Sequence, residues 1–288
     1  MFDAAGTLVR TMSSILAPGP DVLLNVPDYW LRPPQATALP TAVGTNRTHW
    51  DLRYDNPPVF SHDTTLTISA VPHDTPLDRE GPLALPGAYT VKLTVDGKVY
   101  SQALVVHNDP RSGERPATLQ ALQSAHKLVM LAYQGMKDAY TGNSEVAALR
   151  AQIKSLADGP LPPDVAAAAT ALDAKLATLG GSGSRPSAAP GGVVAFTAFN
   201  GSYDFFGGIV NNVGHLDMAP SQPQIKSWET DCGKFNMTVT AWKAAESQDV
   251  VVFNALLTRN NLKPLLITPT ALTVHDCHFI PAAAHGKH

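Results

Sequence analysis

The sequence lacks the features that would assign it to several broad classes of protein. Its net charge of -3, with 16% charged residues, leaves no basic surface of the kind that binds nucleic acid. No apolar run approaches the roughly 20 residues that a helix needs to cross a bilayer. The first twelve residues have neither the positively charged start nor the apolar core of a signal peptide. We therefore expect no nucleic-acid partner, no transmembrane segment and no export signal within this chain.

Recognisable catalytic and cofactor motifs are also missing. The chain contains no G-x-S-x-G, no H-E-x-x-H, no P-loop and no G-x-G-x-x-G that leads into a helix. The acids between Asp51 and Glu80 have no spacing that singles out a pair for glycoside hydrolysis. We therefore predict no catalytic residue and no cofactor, and we expect that the protein is not an enzyme.

Cysteine is scarce, because the chain has only Cys232 and Cys277. Cys232 lies on an apolar helical stripe between Trp228 and Phe235, a position typical of a buried thiol. The alternative is a disulfide between the two cysteines, which would close a loop of about 45 residues and contribute roughly 4 kcal/mol. The choice depends on the compartment, since disulfides persist in oxidising surroundings.

A second group of candidate site residues lies near the end of the chain, in the sequence HDCH. His275, Cys277 and His278 offer imidazole and sulfur ligands that suit zinc or copper. A structural zinc site needs four ligands, normally from two separated pairs, and the chain has no second Cys/His pair. These three residues are the candidates for a metal site, and we nevertheless predict that none is formed.

The clearest local structure is predicted for residues 86–110. Apolar residues alternate with polar ones from Tyr89 to Val95, and a second β-rich run covers Val99 to Val106. Asp96 and Gly97 stand between the two runs. An Asp-Gly pair adopts the positive φ angles that a type I′ turn requires, so the sequence predicts a β-hairpin.

Other short apolar runs predict further strands in the first third of the chain. They lie in residues 1–12, Asp21–Val26, Thr48–Tyr54 and Thr65–Val71. Several short strands separated by Pro- and Gly-rich loops are typical of a β-sandwich. Together with the hairpin, they predict an immunoglobulin-like β-sandwich over residues 1–109.

Beyond residue 109 the apolar spacing changes from two to three and four, which indicates helices. One stripe runs from Leu119 to Tyr140, and Gly142 and Asn143 predict the end of that helix. A second helix is predicted as far as Leu156. A third is predicted to begin near Pro163 and Asp164 and to stop at Gly180 and Gly181.

The composition of residues 180–192 predicts a flexible Gly/Ser/Pro connection. Aromatic stripes over Phe196–Val213 and Ile225–Trp242 then predict a helical hairpin, and a last short helix is predicted over Gln248–Arg259. The fold class is therefore α+β with segregated parts. The predicted sandwich is followed by an antiparallel helical bundle over 110–263 and by a tail over 264–288, with a strand predicted at Ala271–His275.

Two stretches carry a resemblance to a known family. NRTHWDLRY at 46–54 and the hairpin sequence PGAYTVKLTVDGKVYSQALVVHNDPR at 86–111 resemble the C-terminal region of large exported bacterial proteins. Those proteins have sortilin-like (VPS10) or BNR-repeat β-propellers and are often labelled glycosyl hydrolases. The opening FDAAGTLVRTM is similar to the start of their FlgD-type immunoglobulin-like domain, and the later helices are similar to their terminal helical hairpin.

The resemblance implies a periplasmic or extracellular location. It implies no catalytic residue, because the Asp-box repeats of the propeller, S-x-D-x-G-x-T-W in form, are missing from this sequence. Two interpretations stay open at this point. The chain is either a fragment of a longer propeller protein or a free-standing subunit that works with a partner.

We therefore expect a non-catalytic structural or interaction module that serves assembly with a partner protein or complex. One alternative is an accessory carbohydrate-binding or glycoside-hydrolase-like module that uses Trp30 or the acids from Asp55 to Glu80. Another is a subunit of a larger membrane-associated complex that docks through its long helices.

Overall fold

A computed structural model describes most of the chain. The described residues fall in five ranges, namely 1–15, 38–60, 79–110, 116–181 and 198–282. The strands predicted at Asp21–Val26 and Thr65–Val71, and residues 182–192 of the predicted connection, lie outside these ranges. The chain divides into two compact units. Unit 1 comprises Met1–Met130, Asn212–Ala219 and Pro281–His288, and unit 2 comprises Leu131–Asn211 and Pro220–Ile280.

The protein is about 51% helical and has one small sheet. The strands are β1 (Phe2–Asp3), β2 (Gly87–Val95) and β3 (Lys98–Val106). The helices are α1 (Pro116–Ala157), α2 (Pro163–Gly180), α3 (Phe199–Gly214), α4 (Gln222–Ala244) and α5 (Val250–Arg259), with a π-helical turn, Ala245–Asp249, between α4 and α5. The bounds of α2 are those predicted from the prolines and glycines at its ends.

The predicted hairpin is confirmed. Strands β2 and β3 pair in antiparallel register from Gly87 opposite Val106 to Val95 opposite Lys98. At the turn, Asp96 and Gly97 have φ angles of 49° and 75°, which agrees with the positive φ expected for both residues. Strand β1 adds two residues to the other edge of β2, so the strand order is β1-β2-β3.

The predicted immunoglobulin-like β-sandwich over residues 1–109 is wrong. Within the part of the chain that the structure describes, there is a single three-stranded antiparallel sheet that does not close, and no second sheet packs on it. Thr48–Tyr54 forms no strand, because Leu52 has a φ of 59° and only one bridge, Arg53 to Leu83, joins this stretch to another. Of the alternating residues, Trp50 and Tyr54 pack inward whereas Leu52 is exposed, and a buried side chain does not require a hydrogen-bonded ladder.

Unit 1 has a small core at the base of the hairpin. Its buried members are Val9, Tyr54 and Tyr89, and Trp50 packs against Tyr89 edge to face at 5.4 Å between ring centroids. The Trp50 indole Nε1 donates to the carbonyl oxygen of Arg53 at 2.9 Å, so its polar atom is paired. The core therefore fixes the base of β2.

His126 of α1 packs on this core, with its ring centroid 5.7 Å from that of Tyr54. Burial lowers the pKa of His126, because the imidazolium is costly to desolvate, and a hydrogen bond with the backbone of Leu83 and the charge of Asp3 oppose that shift. The lowered pKa favours the neutral imidazole at this inward position of α1.

We expect acid to destabilise unit 1 through His126. Because its folded-state pKa lies below the unfolded value of about 6.5, the unfolded chain binds more protons between the two values. The stabilisation is present above the unfolded pKa and is lost as pH falls through the folded pKa. An NMR titration of the imidazole Hε1, assigned with a His126→Gln variant, measures it, and a midpoint at or above 6.5 would contradict the prediction.

Two of the predicted helix boundaries are wrong. Helix α1 runs without interruption through Gly142 and Asn143, where the sequence predicted an end. An ideal Cβ at Gly142 would lie 2.5 Å from the Phe199 ring. The glycine therefore permits close approach of a ring to the helix, and it does not end the helix. In the same way, the helix predicted from Gln248 is a continuation of α4 through the π-helical turn.

Aromatic side chains form much of the core of unit 2. Phe206 lies among them, with ring centroids 5.5 Å from Trp228 and 5.6 Å from Phe235. The fully buried aromatic residues are Phe199, Phe206, Trp228, Phe235 and Trp242. Both aromatic stripes of the sequence therefore supply core residues, which leaves few aromatic side chains in unit 2 for other roles.

Candidate functional site

The last part of unit 2, residues 264–280, forms an irregular segment that we call the tail segment. It contains no helix, strand, turn or bend, so the strand predicted at Ala271–His275 is not formed. A segment without regular structure cannot pair its own N–H and C=O groups, and those groups need partners elsewhere. Side chains of the helices provide several of these partners.

Two asparagines bind the tail segment in the same way. Asn254 of α5 accepts from the Leu265 N–H at 2.7 Å and donates to the Leu265 carbonyl oxygen at 3.1 Å. Asn236 of α4 accepts from the His275 N–H and donates to the His275 carbonyl oxygen, both at 2.8 Å. Each amide therefore occupies both backbone groups of one residue, as a neighbouring strand would.

Two further side chains complete this set. Gln152 of α1 accepts from the Leu266 N–H at 2.8 Å and donates to the Leu266 carbonyl oxygen at 2.9 Å. Glu246 in the π-helical turn accepts from the Thr270 N–H at 3.1 Å. Burial raises the pKa of Glu246, and the bond from Thr270 opposes that shift. These contacts are made to backbone groups of the tail segment and do not depend on which side chains it carries.

Three apolar side chains of the tail segment are buried at intervals of seven residues. They are Leu265, Leu272 and Phe279. Neighbouring side chains such as Val274 and Ile280 are exposed. The tail segment is thus anchored by a few side chains and fastened between them through its backbone.

A covalent bond fastens the tail segment as well. The Sγ atoms of Cys232 and Cys277 are 1.98 Å apart in a disulfide. Cys232 and Asn236 are four residues apart on α4 and therefore lie on one face of the helix. The Asn236 amide nitrogen also lies 3.2 Å from Cys277 Sγ. Of the two interpretations that the sequence left open, the structure contains the disulfide.

The three candidate metal ligands make separate contacts. His275 Nε2 lies 2.8 Å from Asp138 Oδ2, and the exposed His278 lies 3.4 Å from a carboxylate oxygen of Glu229. Cys277 is in the disulfide and has no thiolate to offer. Among the residues that the structure describes, no group of three or more His, Cys, Asp or Glu side chains could hold a metal ion.

An open cavity of about 570 Å³ lies beside the His275–Asp138 pair. Asp138 accepts from Gln134 Nε2 at 2.9 Å as well as contacting His275, and the imidazole packs edge to face on Phe235 at 5.1 Å. The hydroxyl of Thr141, which also lines the cavity, donates to the carbonyl oxygen of Lys137. This arrangement holds the imidazole of the tail segment in place on α1 and α4.

The hairpin of unit 1 offers a different surface. Cross-strand register places Leu93 opposite Tyr100, and the two strands put apolar side chains on the same face as Tyr89. Tyr89 is buried at the base, whereas Leu93 and Tyr100 are 48% and 58% exposed. We call the outer part of this surface the apolar hairpin face, formed by Leu93, Val95, Tyr100 and Leu104.

The edge of the sheet continues this surface. Within the described ranges, β3 pairs with β2 on one side and has no strand on its other side. The opposite face of the hairpin carries polar residues of β2, namely Thr90, Lys92 and Thr94. The β3 residues of that face include the exposed Val99 and Val105, whereas the apolar hairpin face carries apolar residues of both strands above the buried Tyr89. The outer edge of β3 adds a row of backbone groups.

Comparisons with known proteins supply no further assignment. No protein-family model, no curated protein and no solved structure matches the chain. In the described residues, no helix combines the length and the apolar character needed to span a membrane. No sequence signal marks Gln152, Asn236, Glu246 or Asn254, because a single polar residue beside an apolar stripe has no periodicity.

Proposed function

We propose that the protein is a non-catalytic interaction module that assembles with a partner protein through the apolar hairpin face. The observation that carries this proposal is the exposure of Leu93 and Tyr100 on the face whose base is buried around Tyr89. Exposed apolar patches of this kind mark sites of protein contact. The partner that fits is a protein with an extended strand, because β3 offers an edge at which a strand can add to the sheet.

Two observations support a location outside the cytoplasm. The stretches at 46–54 and 86–111 resemble exported bacterial proteins. A disulfide between Cys232 and Cys277 suits an oxidising compartment, since cytosolic thiols are kept reduced. We therefore include a periplasmic or extracellular location in the proposal.

A charged pair of residues on the apolar hairpin face tests the proposal. In its source cells, we expect the polypeptide that carries this sequence to migrate with its partner, in an assembly larger than that polypeptide alone. Leu93→Glu with Tyr100→Glu should release it as a single chain, because two carboxylates would be desolvated at the contact. Size-exclusion chromatography of the extract, with detection of this chain, measures the change.

The matched control places the same charges on the other face of the same hairpin. Thr94 and Val99 are directly opposite each other, and Val99 is 63% exposed. Thr94→Glu with Val99→Glu should leave the assembly intact, since surface substitutions usually change stability by less than about 0.5 kcal/mol. Migration of the unchanged polypeptide at the size of a single copy, or equal release by both double variants, would refute the proposal.

A further inference from the structure

We infer that the surface of unit 2 that holds the tail segment is a polypeptide-binding site whose partner in trans is the tail segment of a second copy of this chain. We call this surface the tail-binding face and define it by Gln152, Cys232, Asn236, Glu246 and Asn254. The inference concerns a different surface from the apolar hairpin face and does not depend on it.

The tail-binding face recognises backbone groups of the tail segment. Asn254, Asn236 and Gln152 each pair with the N–H and C=O of one residue. Any residue except proline offers the same two groups at these positions. The face therefore selects an irregular chain with apolar side chains at suitable intervals.

A short turn after α5 joins the tail segment to the helices of unit 2. In this turn, Asn261 has a φ of 56° and the N–H of Leu262 donates to the carbonyl oxygen of Leu257. Lys263 and Pro264, which come next, are exposed. A change of backbone conformation at these residues redirects the tail segment without altering the contacts that it makes farther along.

The contacts within one chain indicate which partner fits the tail-binding face. The chain's own tail segment satisfies all the features of the face together, since it brings the buried leucines, the paired backbone groups and Cys277. A second copy supplies the same groups in the same order, so exchange of tails between two copies preserves every contact. Such exchange of identical elements is a low-cost route to a symmetric dimer.

The disulfide decides when exchange can occur. A closed Cys232–Cys277 bond within one chain holds the tail segment in place, so exchange precedes oxidation or follows reduction. With glutathione disulfide as oxidant, Cys232 of one copy and Cys277 of another lose two protons and two electrons. The oxidant takes these up and becomes two glutathione thiols.

Isotope mixing of the unmodified protein tests the inference. Equal amounts of unlabelled and ¹⁵N-labelled chains are mixed, reduced and unfolded, then refolded with glutathione disulfide at increasing protein concentration. We expect Cys232–Cys277 peptides that join a light and a heavy chain, and their share should rise with concentration towards about one half at complete exchange, which is the random pairing of a closed two-fold dimer. Mass spectrometry of the digest counts them.

Other outcomes of the mixing experiment would overturn the inference. If light–light and heavy–heavy peptides alone appear at every concentration, the tail segment binds only in its own chain. If Cys232–Cys232 and Cys277–Cys277 linkages between chains are as frequent as Cys232–Cys277 linkages between chains, the disulfides form by random collision and no specific exchange takes place.

A pair of single-cysteine variants isolates the contact in trans. Cys277→Ser keeps a thiol on the tail-binding face, Cys232→Ser keeps one on the tail segment, and a mixture can form the Cys232–Cys277 bond only between copies. We expect the mixture to form the Cys232–Cys277 bond faster than either variant alone forms its Cys232–Cys232 or Cys277–Cys277 bond, because only the mixed pair is brought together by the contacts of the tail segment. Equal rates for the three bonds would overturn the inference.

Discussion

Replacing Phe206 with alanine should lower the free energy of unfolding of unit 2 by about 3 to 5 kcal/mol, the usual cost of truncating a buried aromatic residue. The Phe206 ring is fully buried and contacts Trp228 and Phe235. Removal of the ring leaves a cavity among these neighbours. Urea unfolding followed by tryptophan fluorescence measures the change, since Trp228 reports on the same cluster.

Gly135 provides a sharper form of this test. An ideal Cβ at Gly135 would lie 2.7 Å from the Phe206 ring, so Gly135→Ala should destabilise the unmodified protein by about 1 to 3 kcal/mol. In the Phe206→Ala background the obstacle is gone, and the same change should stabilise by about 1 kcal/mol, because alanine favours helix over glycine.

The control for this double-mutant cycle is Gly208. An ideal Cβ there meets nothing within 4 Å, and the residue lies inside α3. Gly208→Ala should therefore stabilise both backgrounds by about 1 kcal/mol. If Gly135→Ala had the same sign in both backgrounds, the close approach of Phe206 to α1 would be disproved.

Loss of the disulfide should have a comparable effect. The bond joins residues 45 positions apart, and removal of a crosslink that closes such a loop lowers the free energy of unfolding by about 4 kcal/mol in the chain-entropy account. Cys232→Ala with Cys277→Ala should therefore lower the urea midpoint of unit 2. Reductant should shift the unmodified protein by a similar amount.

Two measurements separate the disulfide from other effects of these changes. Reductant should leave the double-alanine variant unchanged, because it has no disulfide to lose. Titration of the unfolded, unreduced protein should find no free thiol. Two reactive thiols in that titration would show that the crosslink is not formed in the purified protein.

The two binding surfaces that we propose differ in chemistry. The apolar hairpin face offers side chains such as Leu93 and Tyr100 and the backbone edge of β3. The tail-binding face uses side-chain amides that pair with backbone groups, and a cysteine that makes the contact covalent. Charge changes on the hairpin and isotope mixing of the tail therefore probe them independently.

Local rules predicted the parts of the fold that depend on neighbouring residues. Asp96 and Gly97 specify the hairpin because positive φ angles are needed at both positions. The inward stripes of α3 and α4 follow from apolar spacing of three and four. Pro163 and Gly180 mark the ends of α2, since proline suits a first turn and a glycine region suits a last one.

Tertiary contacts decided the rest. The alternation at Thr48–Tyr54 could not show whether a second sheet would form, because strand pairing depends on residues far away in the chain. Gly142 is a residue type that often ends a helix, yet it lies in the interior of α1. Its lack of a side chain makes room there for the ring of Phe199.

The candidate site depends most strongly on tertiary structure. Asn236 reaches a residue 39 positions away, and Gln152 reaches one 114 positions away. Each contact uses a single polar side chain and the backbone of an irregular segment, so it leaves no period in the sequence. Composition and spacing determined which side chains are apolar and where helices form. Only the packed chain determined which polar groups meet, because the partners are far apart in the sequence and come together only when the chain folds.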